Sequence, residues 1–178
     1  NLEVPSVDAS HLDLDIDHWR SCTNCVVYGM TKFSDLFSDR QILALSIFSD
    51  LLGEVRKKIS EEVKFLDDGD LSREGYDDAL AVYLSFVLDK CADYWSSLCS
   101  WNTPGEKMRN TFGRQALPMV WDYAEANPFS SSSGNWSAML DWVCKVIANF
   151  VPGSAGLVEQ NDAQSIEYSS DTVISTDP

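Results

Sequence analysis

The sequence has little positive charge and no long apolar run. Its 178 residues include 13 Lys and Arg against 28 Asp and Glu, which gives a formal net charge of −15. Such a surface repels phosphate backbones and argues against a free-standing nucleic-acid-binding protein. No stretch of about 18 apolar residues occurs, so we expect no membrane-spanning segment. Residues 1–17 are acidic and lack the basic-then-apolar order of a signal peptide, and we expect a cytoplasmic protein.

Histidine and cysteine, the usual ligands of transition metals, are also scarce. Cys22 and Cys25 have the spacing of half a zinc site, but a tetrahedral site needs two more ligands and no second cysteine pair follows. His11 and His18 would complete such a site only in an unusual order. We therefore predict no metal site. The other cysteines lie in helix-like apolar stretches (Cys91, Cys99 and Cys144) and are expected to be reduced and buried.

Apolar residues are plentiful, and their spacing predicts a mainly α protein. The hydrophobic content of 44% is enough for one packed core. Apolar side chains recur every three or four positions from Ile42 to Ile59, which predicts an amphipathic helix capped by Ser38 or Asp39. A second helix, from Tyr76 to about residue 101, is apolar nearly all round and is therefore expected to lie at the centre of its bundle.

Turn and helix signals alternate over residues 102–153. The segment NTPGEK predicts a turn, and RNTFGRQALPMVWDYAEANPF predicts a helix start or a kink around Leu117, because Pro118 follows it. The serine-rich SSSSGNW predicts a loop or a cap for a last helix. That helix is expected over WSAMLDWVCKVIANF and ends at the following Val-Pro-Gly.

The C-terminal region differs from the helical part. Residues 154–178 contain two short apolar runs, GLVE and TVIS, each followed by polar residues, and these predict two short strands. An isolated strand pair is only marginally stable, so we expect the strands to belong to a sheet that this sequence does not complete. We divide the chain into an extended lead-in over residues 1–30, a helical domain over 31–153 and a sheet fragment over 154–178.

Two aspartates follow the predicted strands. In open α/β sheets, ligands bind just beyond the carboxyl ends of the strands, where Asp162 and Asp177 are expected. An ionised carboxylate accepts hydrogen bonds, so both are candidates for binding an amino group. The alternatives are an Asx turn at Asp162 and a polar chain terminus at Asp177.

Two arginines lie among aromatic residues. Arg109 and Arg114 are close in sequence to Lys107 and to Phe112, a combination suited to phosphates or stacked bases. The alternative is a solvated helix face on which these arginines pair with carboxylates, namely Asp122 or Glu106.

Three separated blocks of the sequence resemble one known family. MTKFSDLFSDRQILALSIFSDLL, KMRNTFGRQALPMVWDYAEANPFSSSSGNW and DTVISTDP, in this order, are similar to adenine-specific DNA methylases that carry a zinc ribbon and a domain of unknown function. The resemblance covers most of residues 28–178. It implies a class I methyltransferase sheet with a large helical insertion, S-adenosylmethionine as cofactor and DNA as substrate. We therefore expect a mainly α chain whose two C-terminal strands belong to an incomplete α/β sheet.

The resemblance also implies roles for single residues. Asp177 and Pro178 match the start of the Asp-Pro-Pro-Tyr motif, whose aspartate accepts a hydrogen bond from the amino group of a flipped-out base. Asp162 matches an acidic residue near the adenine of the cofactor. The family's Gly-rich cofactor loop has no counterpart in this sequence. We therefore expect an inactive fragment that does not bind S-adenosylmethionine tightly.

A helical interaction module is the alternative interpretation. The acidic surface and the aromatic-rich helices are typical of a protein-interaction or DNA-recognition module in a DNA-processing or phage-defence complex. In both interpretations the acidic helical domain is a candidate surface for protein partners. A complete small regulatory protein is disfavoured by the unfinished sheet.

Overall fold

The described part of the structure is mainly helical. The structure, a computed structural model, describes residues 13–17, 23–63, 75–151 and 153. Helices of all kinds account for 56% of it, which confirms the mainly α class. The α-helices are α1 (Asp39–Val63), α2 (Tyr76–Tyr94) and α3 (Trp136–Asn149), and 3₁₀ helices span Asn24–Tyr28, Phe33–Leu36 and Thr103–Gly105. Between α2 and α3 in sequence, β1 (Trp101–Asn102) pairs antiparallel with β2 (Lys107–Met108).

Helix α1 begins where its capping residues predict. The Ser38 N–H donates to Gln41 Oε1 at 2.8 Å, and the Ser38 carbonyl accepts from the backbone N–H groups of Gln41 and Ile42. This is the half of a capping box in which the side chain at the third helical position reaches back to the cap residue. The predicted start of the helix is confirmed, but Ser38 does not cap it with its side chain: the buried Ser38 Oγ has no hydrogen-bond partner among the described residues, and Gln41 supplies the capping bond.

Helix α2 packs against both α1 and α3 and therefore lies at the centre of the helical part, as predicted. Val87 and Cys91 of α2 are fully buried in one core with Trp95 and Met139. Phe48 of α1 covers this core, with its ring centroid 5.4 Å from that of Trp95. Not all apolar residues of α2 are buried, since Val82 and Phe86 are exposed.

A second core joins the N-terminal residues to the chain that follows α2. Ile16, Cys25, Leu36 and Leu98 are buried together there. The Ile16 N–H donates to the Thr31 carbonyl at 2.7 Å, which holds residues 13–17 extended against the next segment. The expectation of a wholly extended lead-in fails at Asn24–Tyr28, where a 3₁₀ helix turns Cys25 into the core.

Helix α2 ends at Tyr94, several residues before the predicted end. Beyond Tyr94, hydrogen bonds made by serine side chains replace the backbone hydrogen bonds that would continue the helix. The Ser96 hydroxyl accepts from the Leu98 N–H at 3.0 Å and contacts Thr111 Oγ1 at 2.7 Å. Such bonds offer the backbone an alternative to the helix. The predicted turn at NTPGEK is confirmed, but the two short strands that it joins were not predicted.

Residues 109–135 form no helix, so the helix start or kink predicted around Leu117 is wrong. Their backbone groups bond to distant parts of the chain instead. The Leu117 carbonyl accepts from the Cys25 N–H at 3.3 Å, and the Ala124 N–H donates to the Cys99 carbonyl at 2.8 Å. Pro118 also keeps the residue before it out of the helical conformation.

Helix α3 is confirmed together with its cap. The Asn135 side chain accepts from the Ala138 N–H at 2.8 Å. Gly134, just before the cap, has φ +87° and its carbonyl accepts from Trp95 Nε1 at 2.6 Å. A Cβ on Gly134 would lie 2.9 Å from the Ala126 side chain, so only glycine fits there. The two strands predicted within 154–178 lie outside the described residues, and the domain boundaries remain predictions.

Candidate nucleic-acid interface

Arg109 and Arg114 line one cleft. Its volume is about 280 Å³, and we call it the arginine cleft. Polar side chains that share its wall are Ser100, Asn110 and Thr111, and its apolar base contains Leu98, Pro118 and Val120. No carboxylate is among its lining residues, although the chain as a whole is strongly acidic. The cleft therefore presents donors and cations to an anionic ligand.

Asp93, near the end of α2, positions the wall of the cleft. Its side chain is largely buried, and its two oxygens accept hydrogen bonds from Phe112 N and Asn110 Nδ2, both at 2.9 Å. Its carbonyl accepts from the N–H and the hydroxyl of Thr111, both at 2.8 Å. Bonds to an ionised acceptor are stronger than neutral ones. Asp93 therefore fixes three consecutive residues between the two arginines.

Neither arginine of the cleft has a carboxylate partner within the described ranges. The other two arginines there are both paired: Arg40 with Glu125 at 2.7 Å and Arg56 with Asp78. The predicted alternative, in which Arg109 and Arg114 pair with Asp122 or Glu106 on a helix face, is not observed in the described part of the chain. Two unpaired guanidinium groups in one cleft are available to an external anion.

No family model, curated protein or solved structure matches the chain. The function therefore has to be argued from the arrangement of the residues themselves.

The catalytic and cofactor residues implied by the resemblance lie outside the described residues. These are Asp162, Asp177 and Pro178. Their roles remain predictions, and the structure brings together only Arg109 and Arg114 of the predicted site residues.

Three residues of the zinc site that we considered and did not predict also lie outside the described ranges, namely Cys22, His11 and His18. Cys25 is fully buried, and burial raises the pKa of its thiol, which disfavours the thiolate that zinc requires. Cys91 and Cys99 are buried as predicted, whereas Cys144 is exposed, which corrects that prediction. Cys144 lies on the side of α3 that points away from the core.

An apolar surface on α2 and α3 was also missed. We call it the apolar face; its members are Val82, Tyr83, Phe86, Trp142, Val146, Ile147, Phe150 and Val151. It borders a groove of about 420 Å³. Lys90 lies at its edge, with Nζ 5.7 Å from the centre of the Trp142 ring. The sequence did contain a signal for it: the apolar stripe of α3 is wider than packing against one neighbouring helix requires.

Within the described ranges, no helix is both long and apolar enough to cross a membrane. The apolar face is also interrupted by charged neighbours, namely Lys145 and Asp141, which pair with each other on α3.

Proposed function

We propose that the chain is part of a cytoplasmic, S-adenosylmethionine-dependent, adenine-specific DNA methyltransferase, and that the arginine cleft contacts DNA phosphates. The observation that supports the DNA contact is the pair of arginines without carboxylate partners in one cleft. A guanidinium group matches the geometry of a phosphate and forms two parallel hydrogen bonds with it. Each such contact also releases counterions from DNA, which makes the affinity depend on salt.

The arginine cleft suits DNA better than the cofactor. S-adenosylmethionine carries a net positive charge and a sulfonium group, which two adjacent guanidinium groups repel. The lining of the cleft also lacks a carboxylate to accept hydrogen bonds from the ribose hydroxyls. We therefore assign no part of the cofactor site to this cleft, and the cofactor side of the proposal rests on the sequence resemblance at Asp162.

In the proposed enzyme Asp177 prepares the target base. The exocyclic amino group of adenine is a poor nucleophile because its lone pair is conjugated with the ring. A hydrogen bond from this amino group to the Asp177 carboxylate favours the pyramidal geometry in which the lone pair is free. Bringing the nitrogen close to the methyl donor supplies much of the remaining rate enhancement.

The DNA contact is tested by fluorescence anisotropy with a labelled duplex at about 50 mM and about 200 mM salt. Two phosphate contacts contribute roughly 1.8 to the slope of log affinity against log salt, so the double variant Arg109→Ala/Arg114→Ala should lose about that much slope. The matched control is Lys57→Ala/Lys58→Ala, which removes the same charge from α1. If the control weakens binding as much as the cleft variant does, or if neither the duplex nor a single strand of the same length binds, the assignment is wrong.

The catalytic part is tested with the full-length protein and labelled S-adenosylmethionine. Asp177→Ala is expected to abolish methyl transfer to DNA, whereas Asp171→Ala, an acidic residue of the same sequence block, is expected to retain it. Circular dichroism of both variants checks that they fold. Unchanged methylation by Asp177→Ala would contradict the proposed role, and micromolar binding of the cofactor to the present chain would contradict its assignment as an incomplete enzyme.

A protein-interaction module is the second candidate, and the apolar face favours it. The four aromatic side chains of the face, at about 150–250 Å² each and roughly half exposed, present about 400 Å², and its Val and Ile side chains add to this, so the face approaches one side of a standard interface in area. The net charge of −15 disfavours a second copy and favours a basic partner.

An amphipathic peptide of leucine and lysine should therefore shift the Trp142 fluorescence, and a leucine–glutamate peptide should not. Dimers seen by light scattering, or equal binding of both peptides, would contradict this choice.

A further inference from the structure

Exposed aromatic residues directly follow several of the residues that line the arginine cleft. Three of the residues that line it are each followed directly by an exposed aromatic residue. These are Trp101 after Ser100, Phe112 after Thr111 and Trp121 after Val120, with exposed fractions of 50%, 51% and 77%. We call these three rings the aromatic rim. None of these three rings belongs to either of the two cores within the described residues.

The rim is held in place by the surrounding structure. Phe112 is fixed through its N–H, which donates to the Asp93 carboxylate at 2.9 Å. The Trp121 ring contacts the edge of Tyr28, with centroids 5.0 Å apart and an angle of 78° between the planes. Trp101 belongs to β1 and lies opposite Met108. The backbone of Phe112 and Trp101 and the ring of Trp121 are therefore held before any ligand arrives, which limits the conformational entropy lost when a base stacks on them.

Cations and exposed rings together recognise unpaired nucleotides. In a duplex the faces of the bases are covered by neighbouring bases, so a protein ring reaches a base face only when the strand is unpaired. Stacking of a base on an aromatic side chain is strong and tolerant of sequence, and a positively charged groove follows the phosphates. Both elements are present here, because Phe112 lies between Arg109 and Arg114 in the chain and Trp121 directly follows Val120 of the cleft lining.

We propose that the arginine cleft and the aromatic rim bind single-stranded DNA, with phosphates at Arg109 and Arg114 and bases stacked on Phe112 and Trp121. This inference rests on the proposed DNA contact and names its form: an unpaired strand rather than the duplex. The lining residues include no carboxylate that would repel a phosphate at short range, although the chain as a whole is acidic.

The test compares a labelled oligothymidine with a duplex of the same length, by anisotropy and by quenching of tryptophan fluorescence. The wild-type chain should bind the single strand more tightly. Phe112→Leu and Trp121→Leu keep an apolar side chain but lose the stacking surface, so each should weaken single-strand binding at least about fivefold. The control is Phe150→Leu, an exposed aromatic residue of the apolar face, which should not change the affinity.

The salt dependence separates failure of this inference from failure of the proposed function. The rim variants should leave the salt slope unchanged, and Arg109→Ala/Arg114→Ala should reduce it. If both rim variants bind oligothymidine like the wild type, or if the duplex binds equally well, the single-strand inference is wrong while an arginine-dependent duplex contact stands. If the arginine variant alters neither affinity nor slope, the proposed function fails as well.

Discussion

Replacement of Asp93 should destabilise the fold and disorganise the arginine cleft. Its carboxylate accepts from Phe112 N and Asn110 Nδ2 at 2.9 Å, and from Lys90 Nζ at 3.2 Å. Asp93→Ala removes all three hydrogen bonds and leaves the Phe112 and Asn110 donors without a partner. Asp93→Asn keeps one oxygen, which retains the bond from Phe112, and places an amide nitrogen opposite the other donors.

The magnitude follows from the number and surroundings of these bonds. Hydrogen bonds to a charged group contribute about 1.5–3 kcal/mol each. The Lys90 bond counts for less, because its lysine is partly exposed and exposed ion pairs contribute roughly 0–1 kcal/mol. Removal of the buried carboxylate also relieves its desolvation cost. We expect the free energy of unfolding to fall by about 2–4 kcal/mol in Asp93→Ala and by about half of that in Asp93→Asn.

Urea unfolding followed by far-ultraviolet circular dichroism measures these differences. The control is Asp89→Ala, an exposed residue one turn earlier on α2, which should change the stability by less than about 0.5 kcal/mol. Both Asp93 variants should also weaken DNA binding, because the loop that carries the cleft loses its anchor. A loss below about 1 kcal/mol in Asp93→Ala, or equal losses at Asp89 and Asp93, would refute the role given to this carboxylate.

Three further predictions concern α3 and the thiols. Asn135→Ala removes the side-chain cap of α3 and should cost about 1 kcal/mol in urea unfolding; a shift under about 0.3 kcal/mol would show that the cap contributes little. Exposed Cys144 should react with iodoacetamide in the folded protein while buried Cys91 should not, and peptide mass mapping that finds Cys91 modified first would contradict this. Because burial raises the pKa of Cys91 from 9.0 to about 12, the free energy of unfolding should fall as the pH rises between these values, and a pH series of unfolding curves measures this.

Elements that depend on local signals were predictable from the sequence. The start of α1 follows from the cap at Ser38 and the apolar period after it, and α3 follows from Asn135 and its own apolar pattern. The turn at Thr103–Gly105 follows from its Pro-Gly pair. In each case the residues that decide the structure lie within about one helical turn of one another, so a single sequence contains the whole signal.

The parts that were not predictable depend on partners far along the chain. The end of α2 depends on Ser96, whose hydroxyl meets Thr111 fifteen residues later. The loop at Arg109 and Arg114 takes its shape from Asp93, which accepts from Phe112 across nineteen residues. The residue types of the site were therefore visible in the sequence, but their common cleft was not, because long-range hydrogen bonds create it.

Lys90 links the two surfaces of α2. Its ammonium group is bonded to the Asp93 carboxylate behind the arginine cleft and also lies over the Trp142 ring at the apolar face. A ligand on the apolar face that draws Lys90 away leaves the buried carboxylate with one cation fewer, and so changes the loop that carries the cleft. Thermodynamic linkage requires the reverse effect to be equal in free energy. If the arginine cleft binds nucleic acid as proposed, we therefore expect occupancy of the apolar face to change that affinity through Lys90.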